Sequence, residues 1–231
     1  MGEVSNVLYL ISVWILPAIT AITLHEAAHG WVAWKLGDDT ALRLGRVTFN
    51  PVKHIDRFGT IILPGLLILT GAPFLFGYAK PVPVNFARLH HPKRDMIWVA
   101  AAGPGVNIAM AFVAALAFHL VPLLPAGGTM EWVADNLRNA FLLNIVLAVF
   151  NMFPLPPLDG SRVVAGFLPN EQARKYLNAG RYGLLILMAL LILPPLIGSQ
   201  LGINLNILGW ILLPPVEFVS DILIRAAGLS G

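Results

Sequence analysis

The stretch that decides the fold is HEAAH, His25 to His29, which lies inside an apolar run, residues 7–34, long enough to cross a bilayer. Ionisable groups are costly there, since each one near the centre of a spanning helix costs roughly 2.5–3.5 kcal/mol. On a helix, residues i and i+4 differ by about 40° in azimuth, so His25 and His29 point the same way. A metal ion bound by both imidazoles would offset the cost of embedding them.

Glu26 lies beside the face that carries the two histidines. H-E-x-x-H on a helix is the arrangement of zinc hydrolases, in which the glutamate acts as general base on a water molecule. The alternatives are a chance occurrence of the pattern and a pair of buried, hydrogen-bonded histidines. The pattern predicts a zinc site, and the absence of cysteine leaves only His, Asp and Glu as its ligands.

The composition is that of a membrane protein. Of the 231 residues, 57% are hydrophobic and 12% are charged, whereas soluble domains are about 25% charged. We therefore expect an all-α polytopic protein in the lipid bilayer. It is predicted to be a single domain over residues 1–231, with a catalytic core at about 7–162 and accessory helices at about 181–225. The net charge of +3 does not indicate nucleic-acid binding, and the sequence does not indicate an oligomeric state.

The predicted spans follow the apolar stretches. After residues 7–34 these lie at 96–122, 140–153, 182–198 and about 203–224, with polar or charged loops at 123–139 and 160–180. Short β segments are also predicted in the membrane-associated part of the chain. LRLGRVTF (42–49) alternates like a strand, and the prolines of YAKPVPVNF (78–86) suit an edge strand.

Residues 60–77 are apolar but carry Pro and Gly near their middle, so they either span the membrane or re-enter it. Of the 15 Lys and Arg residues, only Arg138 lies in the 123–139 loop. If 60–77 re-enters, all the other basic residues face one side, as the positive-inside rule favours. We predict five to six transmembrane helices with 60–77 as a re-entrant element, in a prokaryotic cell membrane with the site toward the cytoplasm.

A tetrahedral zinc ion held by two histidines needs a third protein ligand. Asp159 follows an apolar segment that ends on the same side as the histidines, and Gly160 after it permits close approach. Its alternative role is to cap the next helix. His54 is the rival ligand, or a hydrogen-bonding partner of a ligand. Glu217, embedded in the last apolar stretch, is interpreted as paired or facing a crevice between helices rather than as a ligand.

Five motifs follow one another along the chain: HEAAH (25–29), NPVKHID (50–56), YAKPVPVN (78–85), AGPGVN (102–107) and FNMFPLPPLDG (150–160). Together they resemble the site-2 protease family of intramembrane zinc metalloproteases. Many members of that family carry a PDZ or CBS domain. This sequence shows neither, so it is similar to the compact subgroup.

The resemblance implies one Zn²⁺ per chain, with His25, His29 and Asp159 as ligands and Glu26 as catalytic base. It implies further that Asn107 and Asn151 line the site and contact substrate or oxyanion. The segments around 43–50 and 80–85 would be the family's membrane-associated β elements. The implied substrate is another membrane protein, cleaved within or near a transmembrane segment in regulated intramembrane proteolysis.

Two other functions are compatible with the residues themselves. A non-enzymatic zinc-binding membrane protein, such as a carrier or an inactive scaffold, would keep the three ligands but would not need Glu26. A membrane hydrolase acting on a non-peptide bond would use the same site, and only the family resemblance argues against it.

Overall fold

The structure, a computed structural model, describes residues 2–69 and 77–229, and the regular elements within those ranges are all helices. The α-helices are α1 (Gly2–Lys35), α2 (Thr40–Arg43), α3 (Leu63–Leu69), α4 (Pro92–Ala117), α5 (Gly128–Asn151), α6 (Asp159–Phe167), α7 (Asn170–Asn178), α8 (Gly183–Leu201) and α9 (Ile207–Ala226). Shorter helical turns lie at Pro51–His54, Arg57–Ile62, Phe86–Arg88, Phe118–Leu123 and Ala179–Tyr182.

Five helices in the described part of the chain are long and apolar enough to cross a membrane, and they are α1, α4, α5, α8 and α9. The predicted all-α polytopic architecture is therefore confirmed. The charged segment 160–180, predicted as a loop, instead folds into the short helices α6 and α7.

The predicted polar loop at 123–139 is wrong, because α5 begins within it and continues through it. Two of its polar side chains donate hydrogen bonds to α1. The indole nitrogen of Trp132 donates to Ser12 Oγ at 2.9 Å, and Asn139 Nδ2 donates to the carbonyl of Val13 at 2.9 Å. A helix can carry polar residues through this region because a neighbouring helix supplies their partners.

The core of the bundle lies where α4, α5 and α9 meet, around Ala111, Ile145, Val216 and Leu223. The other face of α4 packs against α1. It is built from small residues, including the buried Ala100 and Gly103. Small side chains let two helix backbones approach closely in a membrane protein, and this close approach brings α4 against the histidines of α1.

The β segments predicted at 43–50 and 80–85 are also wrong, since the structure forms no strand in either stretch. Near residue 43 the chain ends α2, and Gly45 then turns it with a φ of +63°. Residues 77–85 are irregular because their backbone groups bind side chains instead of a second strand. These bonds run from Arg46 Nη2 to the Lys80 carbonyl (2.7 Å), from Val82 N–H to Glu26 Oε2 (2.7 Å) and from Asn85 N–H to Asp38 Oδ2 (2.6 Å).

The stretch 60–77 begins with the helical turn Arg57–Ile62, which continues into α3. That helical stretch is too short to cross a bilayer, and it is not among the five spanning helices of the described residues. Residues 70–76, which include Gly71 and Pro73, lie outside the described residues. Tyr78, which follows these residues, lies next to Gly59, since the Tyr78 N–H donates to the Gly59 carbonyl at 3.1 Å.

Candidate metal centre

The two histidines of α1 point toward α4 and are almost fully buried, with His25 7% and His29 8% exposed. Their Nε2 atoms lie 3.1 Å apart and their rings are nearly perpendicular. Gly103 of α4 faces them: a Cβ built there would lie 2.5 Å from His29 Nε2 and 2.6 Å from His25 Nε2. Only glycine at this position leaves room for both rings.

Asp159 completes the group from the first residue of α6, where its carboxylate Oδ2 lies 3.2 Å from each histidine Nε2. The chain reaches this point because the start of α6 folds back against the end of α5. Gly160 lies so close to the carbonyl of Met152 that any side chain there would collide with it. The predicted close approach at Gly160 is therefore present.

The donor atoms fit a zinc ion in both geometry and chemistry. Zinc bonds of about 2.0–2.1 Å in a tetrahedron place the ligand atoms about 3.3–3.4 Å apart, close to the observed 3.1–3.2 Å. His29 Nδ1 lies 2.7 Å from the Val99 carbonyl, and His25 Nδ1 lies 2.5 Å from Asn107 Oδ1. An oxygen faces each Nδ1, which is the arrangement in which Nδ1 carries the proton and Nε2 presents a lone pair. Three lone pairs pointing together repel one another unless a cation lies between them.

Glu26 lies one residue from the first ligand and lines the same cavity, of about 460 Å³, as the donor group. Its Oε2 accepts the Val82 N–H, which fixes the carboxylate from the irregular segment 77–85. Asn151, at the end of α5, also lines this cavity, and its Nδ2 donates to the Leu147 carbonyl at 3.0 Å.

The structure does not bring the other two predicted residues into the cavity. Asn107 is fully buried behind His25, so a contact with substrate is not compatible with its position. His54 is buried elsewhere, with Nε2 3.1 Å from the Thr48 carbonyl, and it is not part of the metal-binding group. The structure therefore supports neither a ligand role nor a ligand-supporting role for His54.

Comparison with known proteins also indicates a zinc metalloprotease. The model of Peptidase family M50 matches residues 125–194. A Bacillus subtilis protein named "Putative zinc metalloprotease YwhC" is 39% identical over 187 residues, which cover 78% of this chain and 80% of that protein. "Putative zinc metalloprotease Rip2" of Mycobacterium tuberculosis strain H37Rv is 31% identical over 188 residues, or 80% of this chain and 68% of that protein. The chain belongs to Peptidase family M50, the site-2 protease family. No solved structure matches it significantly.

The M50 family consists of intramembrane metalloproteases, and its cofactor is zinc. In the described residues, one group of His and acidic side chains can hold the ion, and it consists of His25, His29 and Asp159. The ligands predicted from the sequence are thus brought together in space from α1 and α6.

Sequence reasoning missed residues that support this M50 site. Arg162 lies one helical turn after Asp159, and its Nη1 is 3.5 Å from Asp159 Oδ1, the carboxylate oxygen that faces away from the histidines. The i, i+3 spacing on a helix could have indicated this pair. Asn144, fully buried on α5, contacts Asn107. An amide inside an apolar segment was its only signal.

Proposed function

We propose that this chain hydrolyses peptide bonds within or near transmembrane segments of other membrane proteins, in regulated intramembrane proteolysis. The observation that carries the proposal is one cavity, bounded by membrane-spanning helices, into which the donor group, Glu26 and Asn151 all face. Leu184 and Leu187 of α8 also line this cavity. The accessory helices therefore belong with the core in a single integral-membrane domain over residues 1–231.

A zinc ion held by His25, His29 and Asp159 supplies a Lewis acid that polarises a carbonyl and acidifies water. Glu26 accepts a proton from the attacking water through Oε1, because Oε2 is held by the Val82 N–H. As the water oxygen bonds to the scissile carbon and the C–N bond breaks, Glu26 passes that proton to the leaving amine. Asn151 contacts the substrate or the oxyanion from the end of α5.

The substrate must lie unwound beside Glu26, because a helical peptide bond is shielded by its own turn. Residues 80–85 are the segment of the chain best placed to bind it, since Pro81, Val82 and Val84 line the cavity. The backbone N–H of Val84 has no partner among the described residues, so it is available to an extended peptide. Residues 43–49 do not suit this role, because α2 ends at Arg43 and the chain then turns at Gly45 without forming an extended strand.

We further propose that residues 60–77 re-enter the membrane and that the site faces the cytoplasm of a prokaryotic cell. Tyr78 N–H donates to the Gly59 carbonyl and Thr60 Oγ1 donates to the Tyr78 carbonyl, so both ends of the stretch meet at one place. With 36–91 on one side, the five spans put every Lys and Arg except Arg138 at the same end of the bundle.

The test is cleavage of a transmembrane substrate in proteoliposomes by wild type and by Glu26→Gln. Glutamine keeps an oxygen for the Val82 N–H, so we expect zinc binding to be retained while the cleavage rate falls by about 10²–10⁴-fold. Glu217→Gln is the matched control, since it makes the same change at an exposed acid on α9. Wild-type cleavage by a zinc-loaded Glu26→Gln enzyme would refute the proposal and favour a role for the protein that does not need a general base.

A further inference from the structure

Behind the metal site, a line of buried amides connects His25 to the backbone of α5. Asn107 on α4 and Asn144 on α5 are both 0% exposed. Asn107 Oδ1 lies 2.5 Å from His25 Nδ1, Asn107 Nδ2 donates to Asn144 Oδ1 at 2.6 Å, and Asn144 Nδ2 donates to the Ala140 carbonyl at 2.8 Å. Neither amide lines the cavity, so neither contacts substrate there.

The direction of this line is fixed at its far end. The Ala140 carbonyl can only accept a hydrogen bond, so Asn144 must turn its amide nitrogen toward it and its oxygen toward Asn107. Asn107 must then present its nitrogen to that oxygen. The Ala21 carbonyl of α1, 3.3 Å from the same nitrogen, imposes the same orientation.

The orientation of Asn107 determines which nitrogen of His25 can bind a metal. Because the Asn107 nitrogen is bonded to Asn144, the Asn107 oxygen faces His25 Nδ1, which must then carry the imidazole proton. His25 Nε2, the atom that faces His29 and Asp159, is then left with a lone pair. If Asn107 were flipped, its NH₂ group would face Nδ1 and the proton would move to Nε2, where it blocks the bond to a metal.

We propose that Asn144 is a positioning residue that sets the tautomer of His25 through Asn107, and so prepares the zinc site before the metal arrives. Asn144 acts without contacting metal or substrate. The assignment deepens the proposed function, because it concerns the same site, but it does not depend on which bond the enzyme cleaves.

The first test uses the metal-free full-length wild type in detergent micelles, labelled with ¹⁵N-histidine. At about pH 8 an imidazole is ordinarily neutral, and the ¹⁵N shifts distinguish a protonated from an unprotonated ring nitrogen. His25→Gln identifies the His25 signals among the 6 histidines by their loss. We expect the proton on Nδ1. A proton on Nε2 would overturn the proposal without any variant of Asn144.

The second test compares substitutions on α5. Asn144→Leu removes the shorter of the two contacts that orient Asn107 and leaves only the 3.3 Å contact to the Ala21 carbonyl, so we expect a mixture of His25 tautomers and zinc binding about 10-fold weaker in a chelator competition. Asn144→Asp, neutral at this fully buried position, keeps an oxygen for Asn107 and an O–H for the Ala140 carbonyl, so it should keep the Nδ1 proton and stay within about threefold of wild-type affinity. Asn139→Leu is the control, because it breaks a different amide bond between α5 and α1; it should change neither readout.

The outcomes separate positioning from packing. Equal losses in Asn144→Leu and Asn139→Leu, or in Asn144→Leu and Asn144→Asp, would mean that the amide matters only for packing, and the proposal would be wrong. If the tautomer and zinc results hold while no zinc-dependent proteolysis is found, the positioning role stands and the proposed function fails.

Discussion

The packing of Gly103 against the metal ligands leads to a sharp prediction for Gly103→Ala. The added methyl carbon would lie 2.5 Å from His29 Nε2 and 2.6 Å from both Nε2 and Cε1 of His25. Carbon contacts are comfortable at about 3.5–4.0 Å. Both rings would therefore have to move by about 1 Å, and the displaced atoms are the ones that bind the metal.

A displacement of that size is large for a zinc site, in which bond lengths are held to about ±0.2 Å. Loss of a residue that merely supports a ligand already weakens metal binding by about 10–100-fold. Moving two ligands at once should weaken zinc affinity by at least about 100-fold. Cleavage activity at limiting zinc should fall in parallel.

Helix α4 offers a matched control two residues further on. A Cβ at Gly105 meets nothing within 4 Å, and alanine is favoured over glycine in a helix by about 0.5–1 kcal/mol. Gly105→Ala should bind zinc like wild type, with an equal or higher melting temperature. Chelator competition on the purified proteins in detergent measures both variants. Wild-type zinc affinity in a folded Gly103→Ala protein would show that the rings are not confined as described.

Two more predictions follow from the placement of charged residues. Asp159→Ala should abolish stoichiometric zinc binding in a metal analysis, because it removes one of the three candidate ligands. The control is Asp221→Ala, which removes an exposed acid on α9 and should leave the zinc content unchanged. Equal zinc contents in the two variants would exclude Asp159 as a ligand. The chain has no cysteine, so Lys53→Cys and Thr129→Cys can be labelled singly with a membrane-impermeant maleimide. In intact cells only Thr129→Cys should react, and labelling of Lys53→Cys alone would reverse the proposed orientation.

The grouping of His25, His29 and Asp159 was predictable because the signals for it lie within single short segments. His25 and His29 share a helix face by their spacing alone, and Asp159 stands in a segment whose prolines and glycine mark a change of direction. The spans at α1, α4, α8 and α9 were predictable for a similar reason, since each is a long apolar run.

The errors arose where a polar residue finds its partner on a distant helix. The 123–139 segment was predicted as a loop because it is polar, but two of its side chains, Trp132 and Asn139, find partners on α1 that allow a helix there. The family resemblance implied that Asn107 lines the cavity, yet its oxygen is bonded to His25 and its nitrogen to Asn144. No spacing within one segment carries this information.

Two acids in or beside apolar stretches of the sequence, Asp159 and Glu217, differ in whether the structure buries them. Asp159 is 6% exposed and lies 3.5 Å from the Arg162 guanidinium on one side, while on the other it faces His25 and His29, with which it would share a metal ion. Glu217 lies midway along α9 but is exposed, and no hydrogen bond or ion pair reaches it within residues 2–69 and 77–229. Of the two predicted situations for Glu217, paired or facing a crevice between helices, the structure does not show the pairing. What marks a functional acid in a membrane helix is the set of partners that other helices bring to it, because only those partners offset the cost of placing the charge there.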